Sequence, residues 1–275
     1  MPFKHIAVFY NEHKSHNQPL AQQAAALLRA NQAQVDLISS LDHLEGVEAV
    51  ISMGGDGTML RCARACAPLN IPVMGINCGT LGFLAAAEKE ELQTAMQMLV
   101  TGQCVRHKRL LLQATVRTPK HNQTFIAFND FVLHSSNMRA FFINASFNGV
   151  EMPPYFGDGV IISSPTGSTA YSLAAGGPIV EPNVEVMLVT PICPHSLNQR
   201  PMVLCADGTL SLRPSFKNKA DSSLLSIDGQ EHIALAADTE IVLSRAPYNV
   251  ELLTLPQRGF FSVLHKKLSW GKELC

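Results

Sequence analysis

The chain has 275 residues, 47% of them apolar and 16% charged, with 21 Lys and Arg against 22 Asp and Glu for a net charge of −1. At roughly 100–200 residues per domain this length suggests two domains, and a chain so long buries a core without disulfide or metal staples. The apolar content excludes a disordered chain, and the even charge balance gives no electrostatic case for a nucleic-acid partner.

Residues 1–10 carry no long apolar stretch and no small-residue cleavage site, so secretion is not expected. The longest uncharged run, 159–180, is broken by Pro165, Gly167, Gly176, Gly177 and Pro178 and is wrong for a membrane span. Seven cysteines without a C-x-x-C pair read as free thiols, and a cytoplasmic location is expected. Cys62 and Cys66, four apart on an expected helix, read as small buried hydrophobes. The ten histidines show no ligand spacing, so no metal held directly by the protein is expected.

In chain order, 5–10 reads as a strand, 19–30 as a helix rich in Ala and Leu, and 34–39 and 48–53 as two further strands. Gly54-Gly-Asp-Gly57 breaks the pattern before a helix over 58–67, a strand over 71–77, the segment Gly79-Thr-Leu-Gly82, and an amphipathic helix over 88–100. Strands alternating with helices predict a parallel sheet with helices on both faces. After about Gly102 strands dominate: 109–117, 124–133, 140–148, 160–163, 184–189, 209–212, 224–227 and 240–243, linked by turns such as Thr118-Pro-Lys120 and Asn148-Gly149, with one helix over 169–175. The expected organisation is an α/β domain over 1–102, an all-β-rich domain over 103–248, and a tail over 249–275 packing back on the first domain.

Three segments carry chemistry. In Val50-Ile-Ser-Met-Gly-Gly-Asp-Gly-Thr-Met-Leu60 an apolar strand meets three glycines around one carboxylate, then a helix. Such glycines let backbone approach a ligand, and a helix N-terminus offers N–H groups to a phosphate. Asp56 would repel phosphate unless it accepted a proton or held a metal-bound water; the alternative is a tight turn with Asp as helix cap. No P-loop occurs, and the dinucleotide fingerprint fails at its third glycine. The second segment runs from Gly157-Asp158 through Ser164-Pro-Thr-Gly-Ser-Thr-Ala-Tyr171 to Pro178; its hydroxyls, backbone N–H groups and Tyr171 suit a nucleotide, and a Ser/Gly-rich turn is the alternative. The third, Phe128-Asn129-Asp130, sets an amide beside a carboxylate and by itself reads as a common turn pair.

Together these residues resemble the NAD kinases. The likeness rests on Gly54-Gly-Asp-Gly-Thr58, Gly75-Ile-Asn77, Gly79-Thr-Leu-Gly-Phe83, Asn129-Asp130, Ser164 to Tyr171 and Thr190-Pro-Ile-Cys-Pro-His-Ser196. Gly-Gly-Asp-Gly alone is shared with phosphofructokinases and with diacylglycerol and sphingosine kinases; the Ser/Thr/Gly segment is far more specific. The resemblance implies transfer of the γ-phosphoryl group of ATP to the 2′-hydroxyl of the adenosine ribose of NAD, with Asp56 as the base. Mg²⁺ or another divalent cation would come with ATP, and no metal would be bound by the protein itself. Gly54, Gly55, Gly57 and Thr58 would line the phosphates and Arg61 would meet developing negative charge. Asn129 and Asp130 would contact adenosine, with Thr169, Ala170, Tyr171, Ser172, Leu173 and Ala174 completing that pocket, Asp158 on the nicotinamide side and Gln230 as a further contact. The implied partners are NAD and ATP, with polyphosphate open as a second donor, no nucleic acid and no membrane, and a homotetramer or homodimer. His195 has no assigned role. Many relatives carry arginine just before the Asp-Gly that Asp158 begins, where this chain has Tyr155-Phe156-Gly157. A lipid or sugar kinase sharing the glycine loop and a non-catalytic NAD(P) sensor are the alternatives.

Overall fold

The computed structural model describes residues 3–12, 17–79, 82–118, 121–137, 139–217, 221–236 and 239–269. Thr80-Leu81 of the glycine segment, Pro119-Lys120 of the expected turn and tail residues 270–275 lie outside them. The chain divides into two compact units, one comprising residues up to Arg109 together with those from Tyr248 on, the other Leu110–Pro247.

The first unit is built from β1 (His5–Tyr10), α1 (Gln18–Ala30), β2 (Gln34–Ile38), β3 (Ala49–Gly54), α2 (Asp56–Cys66), β4 (Val73–Asn77), the two-residue β5 (Ala87–Glu88) and α3 (Leu92–Thr101). β1 pairs in parallel with both β2 and β3, and β3 with β4, giving the order β2-β1-β3-β4. The order reverses between β1 and β3. Because parallel crossovers are right-handed, the helix leaving β1 and the helix leaving β3 must cover opposite faces. The side-chain alternation agrees. Ile6, Val8, Ile51, Met53, Met74 and Ile76 form one core with Ala21, Ala24 and Leu28 of α1 and Leu92, Met96 and Leu99 of α3. The intervening Phe9 and Gly75 meet α2, through Arg61 over the Phe9 ring and the Met59 sulfur against Gly75.

The second unit contains most of β6 (Val105–Arg117), then β7 (Asn122–Ala127), β8 (Asp130–Ser135), β9 (Phe141–Phe147), β10 (Val150–Gly157), β11 (Gly159–Ser163), the short α4 (Tyr171–Ala174), β12 (Val186–Ile192), β13 (Met202–Cys205), β14 (Leu210–Ser215), β15 (Ser223–Ile227) and β16 (Glu231–Leu235). The 15-residue β17 (Glu240–Thr254) begins here, antiparallel to β14 through Ile241–Leu243, and ends in the first unit, where Leu252 pairs in parallel with Val73. The closing helix α5 (Phe260–Leu268) belongs to the first unit. Here β10-β9-β14-β17 form one layer and β13-β12-β11-β8-β15-β16 another. Phe131, Leu133, Val160, Ile162, Leu225 and Ile227 of the second layer share a core with Phe141, Ile143, Leu210, Leu212, Ile241 and Leu243 of the first. Each strand of the six-stranded layer therefore turns its alternate residues to the opposite face.

Three expectations need correction. The helix placed over 58–67 starts at Asp56, because the Gly55 carbonyl already accepts from Thr58 and Met59 N–H (3.0 and 3.2 Å). The strand placed over 124–133 is two strands in different pairings, β7 on β6 and β8 on β11 and β15, broken at Phe128-Asn129. β10, like β13 and β16, was not among the expected strands; its Pro153-Pro154 pair sits at a register shift between Met152 and Tyr155, on a strand paired on one side only.

Candidate active site

In the first unit, the turn after β3 lies at the carboxyl ends of the parallel strands, beside the point where strand order reverses, which is where open α/β sheets bind ligands. Gly54 is required there because a side chain would stand 2.5 Å from the Thr58 hydroxyl. Gly55 is the N-cap of α2, and Asp56 is its first residue. The half-buried Asp56 carboxylate does not cap its own helix. It accepts hydrogen bonds from the backbone N–H groups of Phe83 (3.0 Å) and Leu84 (3.3 Å). A side chain at Gly82 would run into that carboxylate, so the glycine makes room for the acid. The start of the same loop is tied by Asn77, whose amide donates to the Gly79 carbonyl (2.9 Å) and accepts from its N–H (3.2 Å). Arg61, one turn along α2, is exposed with its guanidinium 5.7 Å from the centre of the Phe9 ring.

The second unit carries a cavity of about 720 Å³ on the face of the six-stranded layer away from its core. Asp130, Val132 and His134 reach it from alternate positions of β8, and Ser226 and Asp228 from β15 and the turn after it. Asn129, Asp158, Ala170, Tyr171, Ile192 and Cys193 complete most of the wall. Of the residues singled out from the sequence, Asn129, Asp130, Asp158, Ala170 and Tyr171 line this space together. Thr169, Ser172, Leu173, Ala174 and Gln230 do not. The Ser172 hydroxyl is buried against that of Thr190 (2.9 Å), and Gln230 closes a tight turn by donating its N–H to the Ile227 carbonyl (2.9 Å).

Sequence reasoning missed Asp228 and His134. Asp228-Gly229-Gln230 joins β15 to β16, with Asp228 and Gly229 both at positive φ, 49° and 63°, as the central pair of the tight turn that Asp-Gly favours. That pattern signals a turn; nothing local says that the carboxylate reaches back to β8. Asp228 accepts from Phe128 (3.0 Å), Asn129 (2.7 Å) and Asp130 (3.1 Å) N–H groups. Opposite it, Ser164 donates its N–H to the Asn129 carbonyl (2.8 Å) and its hydroxyl to the Phe128 carbonyl (2.6 Å). Gly167 packs so tightly on the Asn129 backbone that no side chain fits. The turn pair Asn129-Asp130 is thus clamped from both sides. Burial, with the Asp228 charge adding to it, pushes the Asp130 carboxyl up to about 7. Phe156, at the position noted for arginine in relatives, is stacked on Phe142 (centroids 4.5 Å apart) with His195 edge-on at 5.1 Å.

A cavity walled by three carboxylates and apolar side chains repels phosphate and accepts hydrogen bonds from hydroxyl and amino groups, which suits a nucleoside. The glycine turn at a helix N-terminus suits phosphate. A chain that owns both has the parts of a nucleotide phosphotransferase.

Comparison with known proteins narrows the class. The ATP-NAD kinase N-terminal domain model matches residues 6–104 and the ATP-NAD kinase C-terminal domain model residues 133–255. The NAD kinase of Natranaerobius thermophilus is 39% identical over 232 residues, 84% of this chain and 80% of that one. That of Lachnoclostridium phytofermentans is 36% identical over 283 residues, 96% and 98%. Among solved structures, yeast NADH kinase complexed with NADH superposes with a TM-score of 0.91 at 21% identity, covering all of this chain and 89% of the other. An Archaeoglobus fulgidus NAD kinase in complex with ATP gives 0.78 at 24%, covering 96% and 98%. The chain belongs to the NAD kinase family, and it has that family's fold.

Proposed function

We propose that the enzyme transfers the γ-phosphoryl group of ATP to the 2′-hydroxyl of the adenosine ribose of NAD, giving NADP and ADP. The observation that carries the mechanism is the Asp56 carboxylate, held by the Phe83 and Leu84 N–H groups at the head of α2. Asp56 takes the 2′-hydroxyl proton as the ribose oxygen attacks the γ-phosphorus in line, and the bond to the β-phosphate oxygen breaks with its electrons leaving on ADP. Gly54, Gly55, Gly57 and Thr58 approach the phosphates, and Arg61 meets the charge that develops on them. Asn129, Asp130, Ala170 and Tyr171 hold the adenosine, with Thr169, Ser172, Leu173 and Ala174 supporting that wall from behind, Asp158 toward the nicotinamide and Gln230 at the rim. Mg²⁺, or another divalent cation, enters as part of the ATP substrate, held by its phosphate oxygens.

The test is NADP formation from NAD, ATP and Mg²⁺, followed by an NADP-specific dehydrogenase. Asp56→Asn lowers kcat by about 10²–10⁴, the worth of a general base. Full activity in that variant with NAD still bound would assign the base elsewhere. Polyphosphate in place of ATP in the same assay decides the donor. Assembly as a homodimer or homotetramer, read by sedimentation, is supported by Val150 and Phe142, exposed on β10 and its neighbour β9. The scattered free cysteines support a cytoplasmic enzyme, and none of the described helices is long and apolar enough to cross a membrane.

A further inference from the structure

The Asn129-Asp130 pair sits at the corner where the chain leaves β7 and enters β8; Asp130 begins β8, opposite Ser163 of β11, while Phe128 and Asn129 fall between the two ladders. Three successive backbone N–H groups point to one side of that corner, and one carboxylate, 98 to 100 residues away in the chain, receives all three. The same residue donates its own N–H to the Asp130 carbonyl (3.0 Å), so the two segments are locked in register. Asp228 can do this because its backbone is left-handed (φ 49°), which turns its side chain back over β8 instead of outward along the hairpin.

We propose that Asp228 is a positioning residue for catalysis on NAD: by gathering the Phe128, Asn129 and Asp130 N–H groups it fixes the direction in which the Asn129 amide and the Asp130 carboxyl meet the nucleoside. The inference deepens the reading above and rests on Asn129 and Asp130 contacting NAD. A second consequence follows from charge. Asp130 faces Asp228 from the β15–β16 turn, His134 from its own strand, Asp158 from the segment before β11 and Tyr171 from α4, with Cys193 on the far wall. Burial first, and Asp228 second, keep Asp130 protonated to about neutral pH. Removing the charge at 228 therefore lets Asp130 ionise at lower pH.

The experiment uses Asp228→Asn, because asparagine adopts left-handed backbone readily and keeps one acceptor oxygen. KM for NAD, KM for ATP and kcat are measured between about pH 5 and 9. The expected result is a rise of about ten-fold in KM for NAD with KM for ATP within about two-fold of wild type, the cost of a lost charge-assisted hydrogen bond set. The midpoint of the pH dependence of KM for NAD, near neutrality in the wild type, moves to lower pH. A merely structural role would raise both KM values together; that finding, or a midpoint left in place, overturns the inference. Asn129→Ala separates the two levels. If it leaves KM for NAD unchanged, the nucleoside contact itself is wrong. If it raises KM while Asp228→Asn does not, only the positioning role fails.

Discussion

Gly82→Ala tests the catalytic acid without touching it. The added methyl would fall on both oxygens and the carboxyl carbon of Asp56. The carboxylate is the end of a side chain, so it yields, giving up the Phe83 and Leu84 N–H groups that hold it. Each such charge-assisted bond is worth about 1.5–3 kcal/mol. The freed groups regain water, leaving a net stability loss of about 1–3 kcal/mol, which urea unfolding would read. The effect on rate is larger in proportion. A reacting group misplaced by about 1 Å costs about 10² in rate, or about 2.7 kcal/mol of barrier. Initial rates of NADP formation at saturating NAD and ATP should fall by about that factor with KM for NAD little changed. Gly79→Ala is the control, since a methyl there meets nothing within 4 Å. A Gly82→Ala enzyme with wild-type kcat, or a Gly79→Ala enzyme equally slow, would show that the held position of Asp56 is not what catalysis uses.

Gly167→Ala should be worse for folding, because its methyl would meet the Asn129 carbonyl, backbone that cannot rotate away; a loss of about 1–3 kcal/mol and a raised KM for NAD are expected from denaturation and kinetics. The C-terminal helix is held by Arg258, which bridges Glu88 (3.3 Å) and Glu91 (2.6 Å), and by Lys266 on Glu88. The Lys266 hydrogen bond, followed by Arg258, holds the Glu88 carboxyl below its ordinary value. That contribution is present at neutral pH and is lost as pH falls through the depressed value, so thermal melts of Lys266→Ala should show a smaller acid-induced drop than wild type. Burial pushes the Cys62 thiol up to about 12 and raises Cys66 as well, whereas Cys193 and Cys205 are exposed. Peptide mapping after brief alkylation of the native enzyme should find label at Cys193 and Cys205 and none at Cys62 or Cys66, and NAD should slow labelling of Cys193, which lines the cavity.

The parallel sheet was legible because β1 and β3 are apolar runs that each lead into a helix with its own period, and β1, α1, β2, β3 and β4 lie within a residue or two of their expected places. The second unit was harder for physical reasons. Phe125, Ile126, Phe128, Phe131, Val132 and Leu133 make 124–133 read as one strand, since apolar spacing cannot show that the first half faces a different partner from the second. What breaks the strand is Asp228, far along the chain. Pro153-Pro154 in β10 is the opposite case: local chemistry argues against a ladder, and an edge position tolerates it.

The site follows the same division. Its carboxylates are held by backbone: Asp56 by Phe83 and Leu84, Asp228 by three N–H groups of the corner it faces. A backbone donor has no residue type, so the partner of such an acid leaves no mark of its own in the sequence. What does leave a mark is the space the arrangement needs. Gly82 is a glycine because Asp56 lies where its side chain would be, Gly167 because Asn129 does, and Gly229 because the turn that aims Asp228 needs positive φ. Gly82 and Gly167, among the glycines that made 79–82 and 164–171 stand out, are therefore the imprint of contacts made elsewhere in the chain. Asp228 escaped notice because the hairpin already explained its Asp-Gly pair, and a residue with one sufficient local reason gives no sign that it has a second.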